Sequence, residues 1–286
     1  MLSGNGWSRF LVTDQELEKA YETVGDLNRS WMKKHLAYLF SFYGHEISLE
    51  KTRTSRQRTG FVFSEAVSPA PGAVILADSC PGIWNRILAA LVPAMAAGVG
   101  DISVFLFRNK EGICPEILTA LELAGIEDIF LIEHPQVPAV MKMCANASSL
   151  ILDLCFRSPV PADFSQRSCG FKTYIRLFFD GKPRGLVWTG DDHEWDYETI
   201  RWAHPDMEFT LCGTKADSAP SGFICSSPQD SEILEEKWDL FLGPEEVFRA
   251  AGITRGFSPG MEPFWIWPEI DKGLFMTSRL YWKETL

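Results

Sequence analysis

Gly72-Ala-Val-Ile-Leu-Ala-Asp78-Ser79-Cys80-Pro81-Gly82-Ile83-Trp84-Asn85-Arg86 is the stretch whose reading decides the fold. An apolar run of strand length ends in a polar turn, and the turn passes into Ile87-Leu-Ala-Ala-Leu-Val-Pro93-Ala-Met-Ala-Ala-Gly98. Small apolar residues closed by a glycine are the pattern of a helix that Gly98 terminates. Asp101 to Phe107 reads as a second buried strand. Pro115 then opens a helix whose apolar face is Ile117, Leu118, Leu121 and Ala124, and Gly125 ends it. Ile129 to Ile132, a helix over Pro138 to Ala145 and a strand over Leu150 to Leu154 extend the series. Strand and helix in alternation imply right-handed crossovers and a Rossmann-like, mostly parallel sheet.

A strand that feeds a helix through a glycine-containing turn gathers free backbone N–H groups and the positive end of a helix dipole at one point. Asp78, Ser79, Gly82, Asn85 and Arg86 are therefore the candidate ligand-binding set. In this reading Asn85 caps the helix, Arg86 pairs with a phosphate oxygen and Asp78 accepts a ribose hydroxyl, so the ligand is a nucleotide or another small anion.

Outward from this region, Asp14 to about Ser48 carries a helical stripe through Leu17, Tyr21, Val24, Leu36 and Leu39, with Thr13-Asp14 as its start. Lys172 to Phe179 and Gly185 to Thr189, joined at Asp180-Gly181, read as a β-hairpin arm. Strands over Glu208–Cys212 and Gly222–Cys225 and helices over Ser231–Trp238 and Pro244–Ala251 make a smaller second α/β unit. The domain reading is a helical segment over 1–60, a Rossmann-like domain over 61–170, and arm plus second unit over 171–286. Phe264, Trp265, Trp267, Phe275, Tyr281 and Trp282 crowd the C-terminal segment and read as core or subunit contact, so a homo-oligomer is expected.

The 286 residues are 46% hydrophobic, enough for a sizeable core. Against 27 Lys and Arg stand 38 Asp and Glu, and the net charge of −11 repels nucleic acid. The basic run Lys51 to Arg58 lacks interleaved aromatics and reads as a solvated connector. The longest apolar run, Ile87 to Val99, contains Pro93 and falls short of the roughly 20 residues of a membrane span. Seven cysteines, at 80, 114, 144, 155, 169, 212 and 225, form an odd set without C-x-x-C spacing. That argues against a disulfide framework and a structural zinc, and with no secretory leader visible at Met1 the expected setting is a cytoplasmic one.

Ala89-Ala-Leu-Val-Pro93-Ala-Met-Ala-Ala-Gly98-Val99, followed by Pro115-Glu-Ile-Leu-Thr-Ala-Leu-Glu-Leu-Ala-Gly125-Ile, resembles the nucleotide-binding part of the histidinol dehydrogenases, relatives of the aldehyde dehydrogenases, over about residues 60–145. The resemblance implies their Rossmann-like fold and NAD or NADP as the possible cofactor. It departs from the family where chemistry would be done. The glycine-rich turn is replaced by Asp78 to Trp84. None of His35, His45, His134, His193 and His204 lies in the family's zinc or acid/base context. Without a zinc-held alcohol and a base, the substrate hydroxyl cannot be deprotonated. The implied protein is catalytically diverged and noncatalytic, and zinc is not expected.

Two alternatives stay open. Ser221-Gly222-Phe-Ile-Cys225 resembles the nucleophile segment of aldehyde dehydrogenases, which would make Cys225 the catalytic residue of an NAD(P)-dependent oxidoreductase. The aromatic C-terminal segment would suit an interaction subunit. Asp191-Asp192-His193-Glu194 is the densest group of potential metal ligands, but neighbours in sequence seldom converge on one ion, and it reads as an acidic turn.

Overall fold

The computed structural model describes residues 6–44, 51–56, 61–109, 112–147, 149–157, 160, 174–177, 179, 181–190, 194–214, 220–226, 231–250 and 253–284. His45, Cys169 and Asp191-Asp192-His193 lie outside them.

Two helices open the chain, α1 (Asp14–Thr23) and α2 (Asp26–Tyr43), separated at Val24-Gly25 where the sequence suggests one. Thr13 starts α1 with a capping box: its hydroxyl accepts from Glu16 N–H, and the Glu16 carboxylate accepts from Thr13 N–H at 2.8 Å. Strands β1 (Lys51–Arg56) and β2 (Phe61–Pro69) then form an antiparallel pair.

β3 (Gly72–Asp78) begins the central sheet. Ala73, Ile75 and Ala77 enter one hydrophobic core and Val74 and Leu76 the other, so both faces are covered and the strand is apolar throughout. Helix α3 (Trp84–Ala96) buries twelve of its side chains, all except Met95, and is the central helix of the molecule. It ends as expected at Gly98: with φ near +83°, Gly98 N–H donates to Met95 O and Val99 N–H to Ala94 O. Next come β4 (Asp101–Phe107), α4 (Pro115–Leu123) with proline in its first turn, β5 (Ile129–Ile132), α5 (Val137–Ala147), β6 (Leu150–Asp153) and β7 (Tyr174–Arg176). All five strands are parallel, in the order β5-β4-β3-β6-β7. Trp7 packs on Phe105 and Phe130, and Val12 N–H donates to Ile129 O, so the N-terminal segment covers the β5 edge.

A second parallel sheet follows the same plan. β8 (Arg184–Trp188), α6 (Tyr197–Ala203), β9 (Glu208–Cys212), β10 (Ile224–Cys225), β11 (Leu240–Leu242), α7 (Glu245–Ala250) and β12 (Gly256–Phe257) give the order β10-β9-β8-β11-β12. The stretch read as a helix from Ser231 is a single 3-10 turn, Ser231–Leu234, and Leu240–Leu242 is a buried strand that the sequence reading passed over. Among the described residues, β7 pairs parallel to β6 in the first sheet and β8 parallel to β9 and β11 in the second, so these two strands enter different sheets and do not pair as the expected β-hairpin arm. An antiparallel arm exists elsewhere: β13 (Met276–Glu284) pairs along the whole of β2, giving a three-stranded sheet β1-β2-β13.

Candidate functional site

The strand order of the first sheet turns back between β3 and β6, which leaves a crevice beyond their carboxyl ends. A cleft of about 570 Å³ lies there. Asp78, Ser79 and Cys80 line one side, Leu154, Cys155 and Phe156 the neighbouring one, and Lys182, Pro183, Asp206 and Trp267 close it from the second unit.

Of the candidate ligand residues, Asp78, Ser79 and Arg86 reach this cleft, while Gly82 and Asn85 do not line it. Asp78 accepts the Phe156 N–H at 2.7 Å. Burial raises its carboxyl above the usual range, partly opposed by that hydrogen bond. The Ser79 hydroxyl is committed inward, accepting Cys114 N–H at 3.1 Å. Gly82 has φ near +82°, and a Cβ there would overlap the Pro205 ring, so its glycine serves close packing between the units.

The helix start also differs from the expectation. α3 begins at Trp84, and no side chain caps it. Asn85 is fully buried inside the helix, and its Nδ2 donates to Pro263 O at 3.0 Å and Ala203 O at 3.3 Å, and lies 3.4 Å from His204 Nδ1. The reason is the surroundings: with α3 sunk between two units, an amide at its first turn finds carbonyls of the second unit before solvent. Arg86 is buried as well. Its two terminal nitrogens donate to the Asp206 carboxylate at 2.6 and 3.0 Å, and its guanidinium lies over the Phe179 and Trp265 rings at 4.9 and 5.0 Å. Trp267 Nε1–H donates to Arg86 O at 3.0 Å.

Cys225 is exposed on the edge strand β10 and is not among the residues that line the cleft. Cys80 and Cys155 are in the wall instead. Burial, reinforced by Asp78 and Asp206, pushes the Cys80 thiol up to about 11, and burial beside Asp153 pushes Cys155 up as well, so both are protonated at neutral pH. His134 stands at the carboxyl edge as expected and stacks on Phe107 at 5.2 Å. His35 and His204 sit in the core, lowered by burial to about 3 and about 4, and are neutral. Among the described residues no three His, Cys, Asp or Glu side chains converge on a point where a metal would sit. Sequence reasoning missed Arg108, Lys182 and Asp206 as cleft residues. Only Arg108, directly after a strand, carried a signal.

No family model matches the chain. It resembles the histidinol dehydrogenase of Caldanaerobacter subterraneus subsp. tengcongensis, with 28% identity over 131 residues, and that of Carboxydothermus hydrogenoformans, with 25% over 124. These matches cover 46% and 43% of this chain but 30% and 29% of the relatives, so less than a third of their length is represented. Among solved structures, histidinol dehydrogenase from Elizabethkingia anophelis aligns with a TM-score of 0.59 at 13% identity, covering 96% of this chain and 77% of that one. A putative aldehyde dehydrogenase from Burkholderia cenocepacia gives 0.51 at 10%, covering 99% and 89%, and PnpE in complex with nicotinamide adenine dinucleotide gives 0.50 at 10%, covering 98% and 87%. The fold is therefore of the histidinol and aldehyde dehydrogenase type.

Proposed function

We propose that the protein is a catalytically diverged histidinol dehydrogenase-like protein that binds a nucleotide in the cleft above Asp78 and does not oxidise histidinol. The observation that carries this reading is the position of the cleft at the turning point of a parallel sheet, where open α/β folds take their ligands. About 570 Å³ suits a nucleotide-sized molecule, and a structural neighbour of the same fold is a complex with nicotinamide adenine dinucleotide. The noncatalytic half is supported by the chemistry of the wall, where the thiols are held protonated and the zinc ligands have no counterpart among the described residues. A cysteine-nucleophile mechanism would need Cys225 at the cleft, and it stands on an edge strand.

Calorimetric titration with NAD+, NADP+, ATP and inorganic phosphate tests the proposal. Nucleotide binding without histidinol turnover is the expected result. Binding of none of them, or one equivalent of zinc together with NAD-dependent histidinol oxidation, would sink it. We also propose that the chain self-associates through the sheet β1-β2-β13, and that it resides in the cytoplasm; the six described cysteines, all free thiols, support a reducing setting.

A further inference from the structure

Arg108 follows the last residue of β4, one position beyond Phe107, the register partner of Asp78. Its backbone N–H donates to Ile132 O at 3.0 Å, and Asn109 beside it donates through Nδ2 to Ser79 O, so this loop is fixed against the turn that ends β3. The Arg108 side chain is exposed and lines the cleft. Among the described residues, Arg86, Arg108 and Lys182 are the Lys and Arg residues of that wall, and two of them are already engaged: Arg86 by Asp206, and Lys182 by Glu208 at 3.1 Å. Among the described residues, nothing pairs with the guanidinium of Arg108.

In an open parallel sheet of this plan, a nucleotide seated over the first strand brings its ribose to the carboxyl end of the second. A carboxylate there accepts the 2′-hydroxyl, whereas a nearby arginine accommodates a 2′-phosphate. Here β3 is the first strand and β4 the second, with Arg108-Asn109 at that end. A guanidinium binds a phosphate through two parallel N–H bonds, and one without a partner gives up no ion pair to do so. Arg86 is the poorer receptor, because a phosphate would have to displace Asp206 from both its terminal nitrogens.

We infer that Arg108 makes the cleft select a nucleotide phosphorylated on the 2′-position of its adenosine ribose, NADP+ over NAD+. This rests on the nucleotide reading of the cleft and narrows it. The test is calorimetric titration of the full chain with NADP+, NAD+, 2′-AMP and 5′-AMP, repeated on Arg108→Ala and Arg108→Lys. NADP+ should bind at least about tenfold more tightly than NAD+, and 2′-AMP more tightly than 5′-AMP, since each good bidentate contact to phosphate carries a charge-assisted pair. Arg108→Ala should erase both differences, weakening NADP+ and 2′-AMP more than NAD+ and 5′-AMP, and Arg108→Lys should restore part of them. Equal or tighter binding of NAD+ by the wild type, or discrimination that survives in Arg108→Ala, overturns the inference and leaves the nucleotide reading standing. If the wild type binds neither dinucleotide, the inference falls, and the nucleotide reading falls with it unless ATP binds. Arg108 is exposed, so its variants should unfold at the wild-type temperature; a lowered midpoint in both would contradict a role confined to the ligand.

Discussion

At the scale of single residues, Asn85, His35 and His204 tie the first turn of α3 into the second unit. His35 Nε2 donates to Asn85 O at 3.3 Å, and His204 Nε2 donates to Glu262 O at 3.0 Å. Removing the Asn85 amide leaves two carbonyls and a ring nitrogen without their donor. Asn85→Ala should therefore cost on the order of 2–4 kcal/mol, read as a lowered urea midpoint. The buried histidines set a pH dependence. Their folded pKa values, about 3 and about 4, lie below the ordinary 6.5, so the unfolded chain takes up the protons first. Their contribution is complete above about pH 6.5 and is lost as pH falls toward 4, at roughly 2 kcal/mol per histidine by pH 5. The raised carboxyl of Asp78 acts in the opposite sense. The comparison of wild type with His204→Gln isolates the histidine: the loss of stability between pH 7 and 5 should be smaller in the variant, and an unchanged slope would contradict the assignment.

At the scale of elements, the turn 78–86 is a joint between two units. Gly82→Ala places a side chain in left-handed backbone and against Pro205, and should destabilise by roughly 1–3 kcal/mol in equilibrium unfolding. A neutral substitution would show that the two units are not held at this point. The helix ends at Gly98 and Gly125 and the strands between them were legible because each is written locally, in a terminal glycine, a first-turn proline or an unbroken apolar run. Asn85 as a cap was not, since an amide near a helix start looks the same whether it faces solvent or a second unit. The hairpin over 172–189 misled for a similar reason: Asp180-Gly181 between two β-rich segments is a hairpin signal, and nothing local tells that the flanking strands enter different sheets. β13 pairs with β2 across some two hundred residues of sequence, a contact that periodicity cannot carry.

At the scale of the whole molecule, the sheet β1-β2-β13 is the surface that remains to be covered. On one of its faces Phe63 stands opposite Trp282, their rings 5.1 Å apart, with Phe61 and Leu280 alongside; Leu280 and Trp282 are about 60% exposed. A second copy presents the same apolar face, and a two-fold contact through it would cover Leu280 and Trp282 on both chains. Sedimentation at tens of micromolar, roughly the range of ordinary homodimer affinities, should show a dimer, and Leu280→Ser with Trp282→Ser should shift it to monomer with unchanged circular dichroism. A monomeric wild type would contradict the assignment.

The two sheets meet at the cleft, and its occupant decides the account. The most direct measurement is a crystal structure of the protein grown with the nucleotide that titrates most tightly. The expected result is density for the nucleotide beyond the carboxyl ends of β3 and β6, against Asp78 and the loop at Arg108. Density at any other place, or an empty cleft at saturating nucleotide, would contradict it.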